Sequence, residues 1–296
     1  MNSIILITGA STGIGNLSAR TLAAAGHTVY AGMRDTEGRN AARVRELHDY
    51  AFTHNLKLRA IELDVLSQES VDKAVGIIHA AQGRLDVVVH NAGHLVVGPT
   101  EAFTPEEIVR VFDTNLLGTQ RVNRAALPLM RARGAGLLLW VSSTTARGGF
   151  PPFLGPYAAA KAAMDSMAQT LAYELARFGI ETSIVVPGAF TKGTAHFPNA
   201  GRPADAATVA AYSRYDGLLD QVGARLSALT PENASPQAVA DEITCIVNLP
   251  AGSRPARSVI DFIDDGAAEV TEVAEKVRIA FAHRIGIADL LQATKA

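Results

Sequence analysis

Three glycines in a turn between an apolar run and a helix narrow most sharply what this chain can become. Residues 3–7 are continuously apolar and read as a buried strand, while residues 16–25 carry a helical pattern closed by Gly26. Between them stands Thr8-Gly-Ala-Ser-Thr-Gly-Ile-Gly15. Gly9, Gly13 and Gly15, with Ser11, Thr12 and Ile14 among them, let the backbone turn tightly and approach a pyrophosphate. The helix start behind them offers free N–H groups and the positive end of a dipole. Three residues separate the first two glycines, so the pattern is not G-x-G-x-x-G, and a purely structural corner is the plainer alternative.

The unit then repeats. Residues 27–33, 57–65, 85–93 and 134–140 read as strands, and residues 35–52, 67–82 and 105–131 as helices, with another helix beginning at Tyr157. Strands alternating with helices at this spacing predict an α/β fold: a single doubly wound parallel sheet flanked by helices, with ligands at the carboxyl ends of its strands. Residues 236–249 read as a helix, 258–263 as a final strand, and 267–291 as a C-terminal helical extension. No linker divides the 296 residues, 48% of them hydrophobic, so residues 1–296 are expected to form one domain with a full core.

Candidate chemistry gathers at those strand ends. The second strand closes on Met33, where an enzyme using NAD favours a carboxylate for the ribose 2′-hydroxyl; here Arg34 follows. A guanidinium about 4 Å from a 2′-phosphate gains about 1–2 kcal/mol after screening, so NADP is expected over NAD. Asp35 is a carboxylate that would blunt this preference, NAD remains possible, and a solvated surface charge is the alternative for Arg34. Asp64, beside Val65, either accepts a bond from an adenine amino group or caps the helix that follows. Asn91, Ala92 and Gly93 leave room for flat cofactor atoms against bare backbone. Beyond the strand at 134–140 come four hydroxyls, from Ser142 to Thr145. Tyr157 and Lys161 share one helix face. A positive charge about 5 Å from the phenol, at an effective dielectric of about 20, is worth about 3 kcal/mol, or about 2 pKa units. Lys161 is therefore expected to acidify Tyr157, which can then give a proton to a ketone oxygen or take one from an alcohol.

In order and spacing, Thr8 to Gly15, Asn91-Ala-Gly93, Asn115, Ser142-Ser143, Tyr157-Ala-Ala-Ala-Lys161 and Pro187-Gly188 resemble the short-chain dehydrogenase/reductase superfamily over about residues 3–190. The resemblance implies a Rossmann-type fold, a nicotinamide dinucleotide and a catalytic set of Asn115, Ser143, Tyr157 and Lys161. By that likeness Tyr157 is the general acid/base, Lys161 lowers its pKa and binds the nicotinamide ribose, Ser143 bonds the substrate oxygen, and Asn115 holds a water. Pro187, Gly188, Phe190 and Thr191 would border the nicotinamide, with Thr191 or Thr194 offering a hydroxyl to its carboxamide. In many relatives the serine precedes the tyrosine by thirteen residues; Ser143 precedes it by fourteen and Thr144 by thirteen. Ser143 is favoured, with the extra residue placed in the Pro151-Pro152 loop. Relatives often associate through the helices bearing Asn115 and Tyr157, so a homo-oligomer is expected by analogy.

Residues 191–201 have the composition of a mobile lid and 204–229 that of one amphipathic helix. Together with Phe150, Phe153, Phe190, His196, Phe197, Tyr212 and Tyr215 they would enclose a hydrophobic ketone or alcohol. A formal net charge of −2 without a basic run argues against a nucleic-acid or anionic membrane partner. Cys245, the single cysteine, is expected to be a buried small hydrophobe, and no metal-ligand spacing occurs. The opening apolar run is too short for a signal or membrane span, so a cytoplasmic location is expected. The rival readings are an NAD-dependent dehydrogenase and a non-catalytic dinucleotide-binding regulator, which would need neither Tyr157 nor Lys161.

Overall fold

The computed structural model describes residues 2–190, 193–194 and 196–293. In chain order it runs β1 (Ile4–Ile7), α1 (Gly13–Ala24), β2 (Thr28–Met33), α2 (Ala41–Thr53), β3 (Leu58–Glu62), α3 (Gln68–Gln82) and β4 (Val87–His90). There follow α4 (Pro105–Phe112), α5 (Gly118–Arg133), β5 (Gly136–Val141), α6 (Gly155–Ala176) and β6 (Ile180–Pro187). Last come α7 (Ala206–Ala211), α8 (Leu218–Leu229), α9 (Gln237–Asn248), β7 (Arg257–Ile260) and α10 (Ala267–Arg284). The seven strands form one parallel sheet in the order β3-β2-β1-β4-β5-β6-β7. Because parallel neighbours need crossover helices, every strand ends at the same edge.

Alternating side chains divide the core between the two faces of the sheet. Leu6, Val88, Leu138 and Trp140 pack with Val71, Val122 and Met164 of α3, α5 and α6. Ile5, Val89 and Leu139 pack with Leu22 and Ile243 of α1 and α9. Both faces are covered, which is why the strands read as apolar runs rather than as alternating ones.

Several expected boundaries move. Residues 35–40 form a turn ahead of α2, with Asp35 at φ 53° and its carboxylate accepting the Arg39 N–H at 2.8 Å. The helix expected over 105–131 is interrupted by a π turn at Asp113–Leu117 that carries Asn115. The single helix expected over 204–229 is two, because Gly217 at φ 75° stops the chain before α8. The tail is α10 and then, past Gly286 at φ 75°, a short 3₁₀ turn at Ala288–Leu291. β6, for which the sequence reading assigned no element, fills the position beside β5. Cys245 lies exposed on α9 rather than buried, since the core side of that helix is taken by Val239, Ile243 and Ile246. No helix among the described residues is long and apolar enough to cross a membrane.

His90 closes β4 in the interior, its Nε2 paired with Asn123 Oδ1 at 2.9 Å and its ring centroid 4.3 Å from that of Trp140. Burial pushes its pKa down to about 4, against the opposing bond from Asn123. Between about pH 6.5 and 4 the unfolded chain therefore binds a proton that the folded chain refuses, so stability falls as pH falls through this window. Urea denaturation should show a loss of about 2–3 kcal/mol from this group between neutral pH and pH near 4. A His90→Leu variant should show a correspondingly shallower dependence.

Candidate active site

The carboxyl ends of β1 to β6 open on a cleft of about 1340 Å³. Its floor is the glycine turn. Gly9 and Gly13 have φ of 66° and 56°, in the region that favours glycine. A Cβ on Gly9 would stand 2.7 Å from Ala92 Cα; one on Gly15 would stand 2.4 Å from Asn91 Nδ2 and 2.6 Å from Gly9 O. Above Gly13, by contrast, nothing among the described residues approaches closer than Thr194 Cβ at 4.0 Å. Ser11, Thr12 and Ile14 line the same wall. Thr12 gives α1 no side-chain cap and the first turn holds no acidic residue, so the helix leaves its N–H groups to an anion. Asn91 does not reach outward: its Nδ2 donates to Thr8 O at 2.9 Å and Gly9 O at 3.0 Å. Thr8 Oγ1 in turn accepts from Asn91 N and Ala92 N, so β1 and β4 are locked together under the cleft.

At the far end Arg34 lines the cleft beside Arg39, which the sequence reading had placed within a helix and passed over. Thr36 and Gly38 were the signals that this helix starts late. Asp35, the expected competitor, turns onto the Arg39 N–H and over Gly38. Glu62 is likewise occupied, accepting from Asp35 N at 2.8 Å and Thr36 N at 2.7 Å. Two guanidiniums thus face the cleft while both carboxylates are engaged with backbone. Asp64 and Val65 also line it. The cap of α3 is Ser67, accepting from Ser70 N at 3.2 Å, whereas Asp64 Oδ1 accepts from Leu66 N at 3.0 Å. The capping alternative for Asp64 is therefore set aside.

Tyr157 and Lys161, both buried, stand on the first turns of α6. Lys161 Nζ donates to Val141 O at 2.8 Å, fastening the helix to the last residue of β5. Ser143 lines the cleft with Tyr157 and Lys161. Thr145 donates to Ser143 Oγ from its N at 3.3 Å and its Oγ1 at 2.9 Å. Ser142 turns away to Asp165. The electrostatics differ from expectation. Burial pushes the Tyr157 phenol up to about 12, with the Ser143 hydroxyl opposing it. Burial also pulls the Lys161 ammonium down to about 8 against the attraction of Asp165. With these groups desolvated, the cost of charging the phenol exceeds what was expected of the nearby ammonium.

Asn115 lies behind the cleft wall, fully buried. Its Nδ2 donates to His94 O at 3.0 Å and Val111 O at 2.9 Å, and its Oδ1 accepts from His94 N at 3.2 Å. The amide is thus spent on backbone groups rather than turned into the cleft. Gly93 separates it from Lys161: a Cβ there would be 3.0 Å from Asn115 Oδ1 and 3.5 Å from Lys161 Nζ. Pro187, Gly188, Phe190 and Thr194 border this end; Thr191 lies outside the described residues. Of the aromatic candidates, Phe150, Phe190, His196 and Phe197 line the cleft. Phe153 instead meets Tyr215 edge-on, and Tyr212 donates to Glu101 at 2.9 Å. His196 packs edge-on against Tyr157 at 5.6 Å, its pKa brought down to about 4 by burial, with Lys161 and His94 adding to the effect.

The short chain dehydrogenase family model matches residues 3–202, and the chain belongs to that family. It is 36% identical over 191 residues to 3-ketodihydrosphingosine reductase of Bacteroides thetaiotaomicron, covering 64% of this chain and 65% of that one. It is also 36% identical over 191 residues to 17-beta-hydroxysteroid dehydrogenase type 1 of Homo sapiens, covering 63% and 56%. The chain thus spans less than two thirds of the length of these relatives. Among solved structures, a short-chain dehydrogenase from Streptomyces avermitilis superposes with a TM-score of 0.73 at 29% identity, over 97% of both chains. Actinorhodin polyketide ketoreductase with NADPH does so at 0.71 and 26% identity, over 88% of this chain and 95% of that one.

The glycine floor and the open helix start fit a dinucleotide pyrophosphate, because each close approach is made where a Cβ is missing. Gly15→Ala should weaken NADP binding by at least about tenfold in titration calorimetry, since the added carbon meets Asn91 and the Gly9 carbonyl.

Proposed function

We propose that this protein is an NADP(H)-dependent oxidoreductase interconverting a carbonyl and a secondary alcohol. The observation that carries the reading is that Ser143, Tyr157 and Lys161 line one glycine-floored cleft, with Lys161 anchored on Val141 O. When bound, the nicotinamide dinucleotide supplies or takes up a hydride. The start of α1 would hold its pyrophosphate, Arg34 and Arg39 a 2′-phosphate, Asp64 and Val65 the adenine, and Lys161 the nicotinamide ribose. Pro187, Gly188 and Phe190 would border the ring.

The residues of the chain handle the proton. With its pKa near 12, Tyr157 is a neutral phenol at ordinary pH, the form needed to protonate a carbonyl oxygen. Ser143 donates to the same oxygen as its charge develops, a contribution of about 2–4 kcal/mol for one such donor. The phenolate left behind has Lys161 one turn away. Asn115 acts through its backbone ties, setting the wall that carries Gly93 and His94. The apolar lining from Phe150, Phe197, Leu219 and Leu226 suits a hydrophobic substrate, as the names of the relatives also suggest.

Tyr157→Phe should retain NADP binding yet lose about 10²–10⁴-fold in kcat across a ketone and aldehyde panel; parental turnover would overturn the reading. In the parent, alcohol oxidation requires the ionised phenol and should rise steadily with pH, whereas carbonyl reduction requires the neutral phenol and should not. Arg34→Glu should lower kcat/KM for NADPH about tenfold while sparing NADH. An unchanged ratio between the two coenzymes would favour an NAD-dependent enzyme.

A further inference from the structure

One buried charge has no place in the chemistry so far. Asp165 is 2% exposed and lies one helical turn beyond Lys161 on α6. Its Oδ2 accepts from Ser142 Oγ at 2.9 Å and from Arg257 Nη1 at 2.6 Å. Its Oδ1 accepts from Arg257 Nη2 at 2.7 Å, Gln169 Nε2 at 2.9 Å and Arg147 Nη2 at 3.2 Å. These donors come from the residue after β5, the segment leading to α6, α6 itself and β7. A carboxylate has about four lone-pair positions, so this one is saturated.

The arrangement exceeds what holding the fold requires. A buried ion pair can often be replaced by apolar packing without loss, and one arginine would neutralise one carboxylate. Here two guanidiniums converge on it, and a further donor, Ser142, is the neighbour of Ser143. Ser142 N also bonds Val185 O at 2.8 Å, so the chain at Ser142 is pinned by main chain on one side and by Asp165 on the other. The next residue, Ser143, lines the cleft with Tyr157.

We infer that Asp165 is a positioning residue for the carbonyl chemistry. Through Ser142 it fixes the strand end that presents Ser143 to Tyr157, and its negative charge stands one turn from the Lys161 ammonium. This rests on the functional reading given above. The same carboxylate opposes the loss of the Lys161 proton that burial promotes. The other titratable groups facing these two are Tyr157 on α6, His196 from the segment before α7, Arg147 and Arg257, and Glu275 of α10, which answers both arginines.

The test compares Ser142→Ala, Asp165→Asn and Asp165→Glu in the full chain. Two readouts apply: kcat and KM for NADPH with an accepted ketone, and the ¹³Cε titration of Lys161 by NMR without substrate, assigned with a Lys161→Arg variant. Ser142→Ala should lower kcat about tenfold, leave KM for NADPH within about twofold and leave the lysine titration in place. Asp165→Asn should lower kcat similarly and also move the lysine titration down by about one pH unit. Asp165→Glu should restore the titration. Ser142→Ala at the parental kcat overturns the proposal, as does folded Asp165→Asn with an unmoved lysine. If Asp165→Asn does not fold, Ser142→Ala decides alone. A parent protein that oxidises NADPH with no carbonyl would instead defeat the functional reading, and the lysine titration would still decide the electrostatic half.

Discussion

A parallel sheet cannot turn back on itself, and that constraint organises this molecule. Each strand must be followed by a crossing helix before the next can lie alongside, so all strand ends collect at one edge and all the helices that follow them start nearby. Chain direction alone therefore delivers the glycine turn, the Arg34 turn, Asn91 to Gly93, Ser143 and Pro187 to a single cleft, though they lie up to 178 positions apart in sequence. The reacting groups need only short local devices to finish the work: a lysine tied to a strand carbonyl, a serine turned by its neighbours, and glycines where side chains would collide.

The same geometry sets the electrostatics. Enclosing Tyr157 and Lys161 takes both out of water, and desolvation moves each toward its neutral form. The phenol is consequently a reluctant acid, held in its neutral form at ordinary pH. Asp165 belongs to this balance from the opposite side, since it favours the charged lysine. A pair that reads in sequence as a lysine acidifying a phenol is one in which burial raises the phenol and lowers the lysine.

Patterns carried by neighbouring residues were legible in advance. The apolar runs at β1, β2, β4 and β5 announce strands buried on both faces, and the Tyr157 to Lys161 spacing announces a shared helix face. What escaped depends on contacts distant in sequence or on a single backbone angle. β6 is a mixed stretch, Ile-Glu-Thr-Ser-Ile-Val-Val-Pro, whose polar residues hide its place beside β5. Arg39 was passed over because Gly38 and Thr36 shift the start of α2 by several residues. The Asp165 cluster joins residues 142, 147, 165 and 257, and no local pattern connects them. The tilt of the phenol's pKa was misjudged for the same reason, since burial is a property of the whole fold.

The π turn at Asp113–Leu117 is in effect one residue more than the helical path from α4 to α5 needs. Removing that surplus would let the two segments fuse into one continuous α-helix, but at about 3.6 residues per turn it would rotate everything on one side by about 100° relative to the other. Asn115 would swing off the wall it braces, or Val122 and Met130 would leave the sheet they cover. The irregularity is thus locked in by its flanks: the cavity wall and the hydrophobic face can both be satisfied only while the helix carries its extra residue.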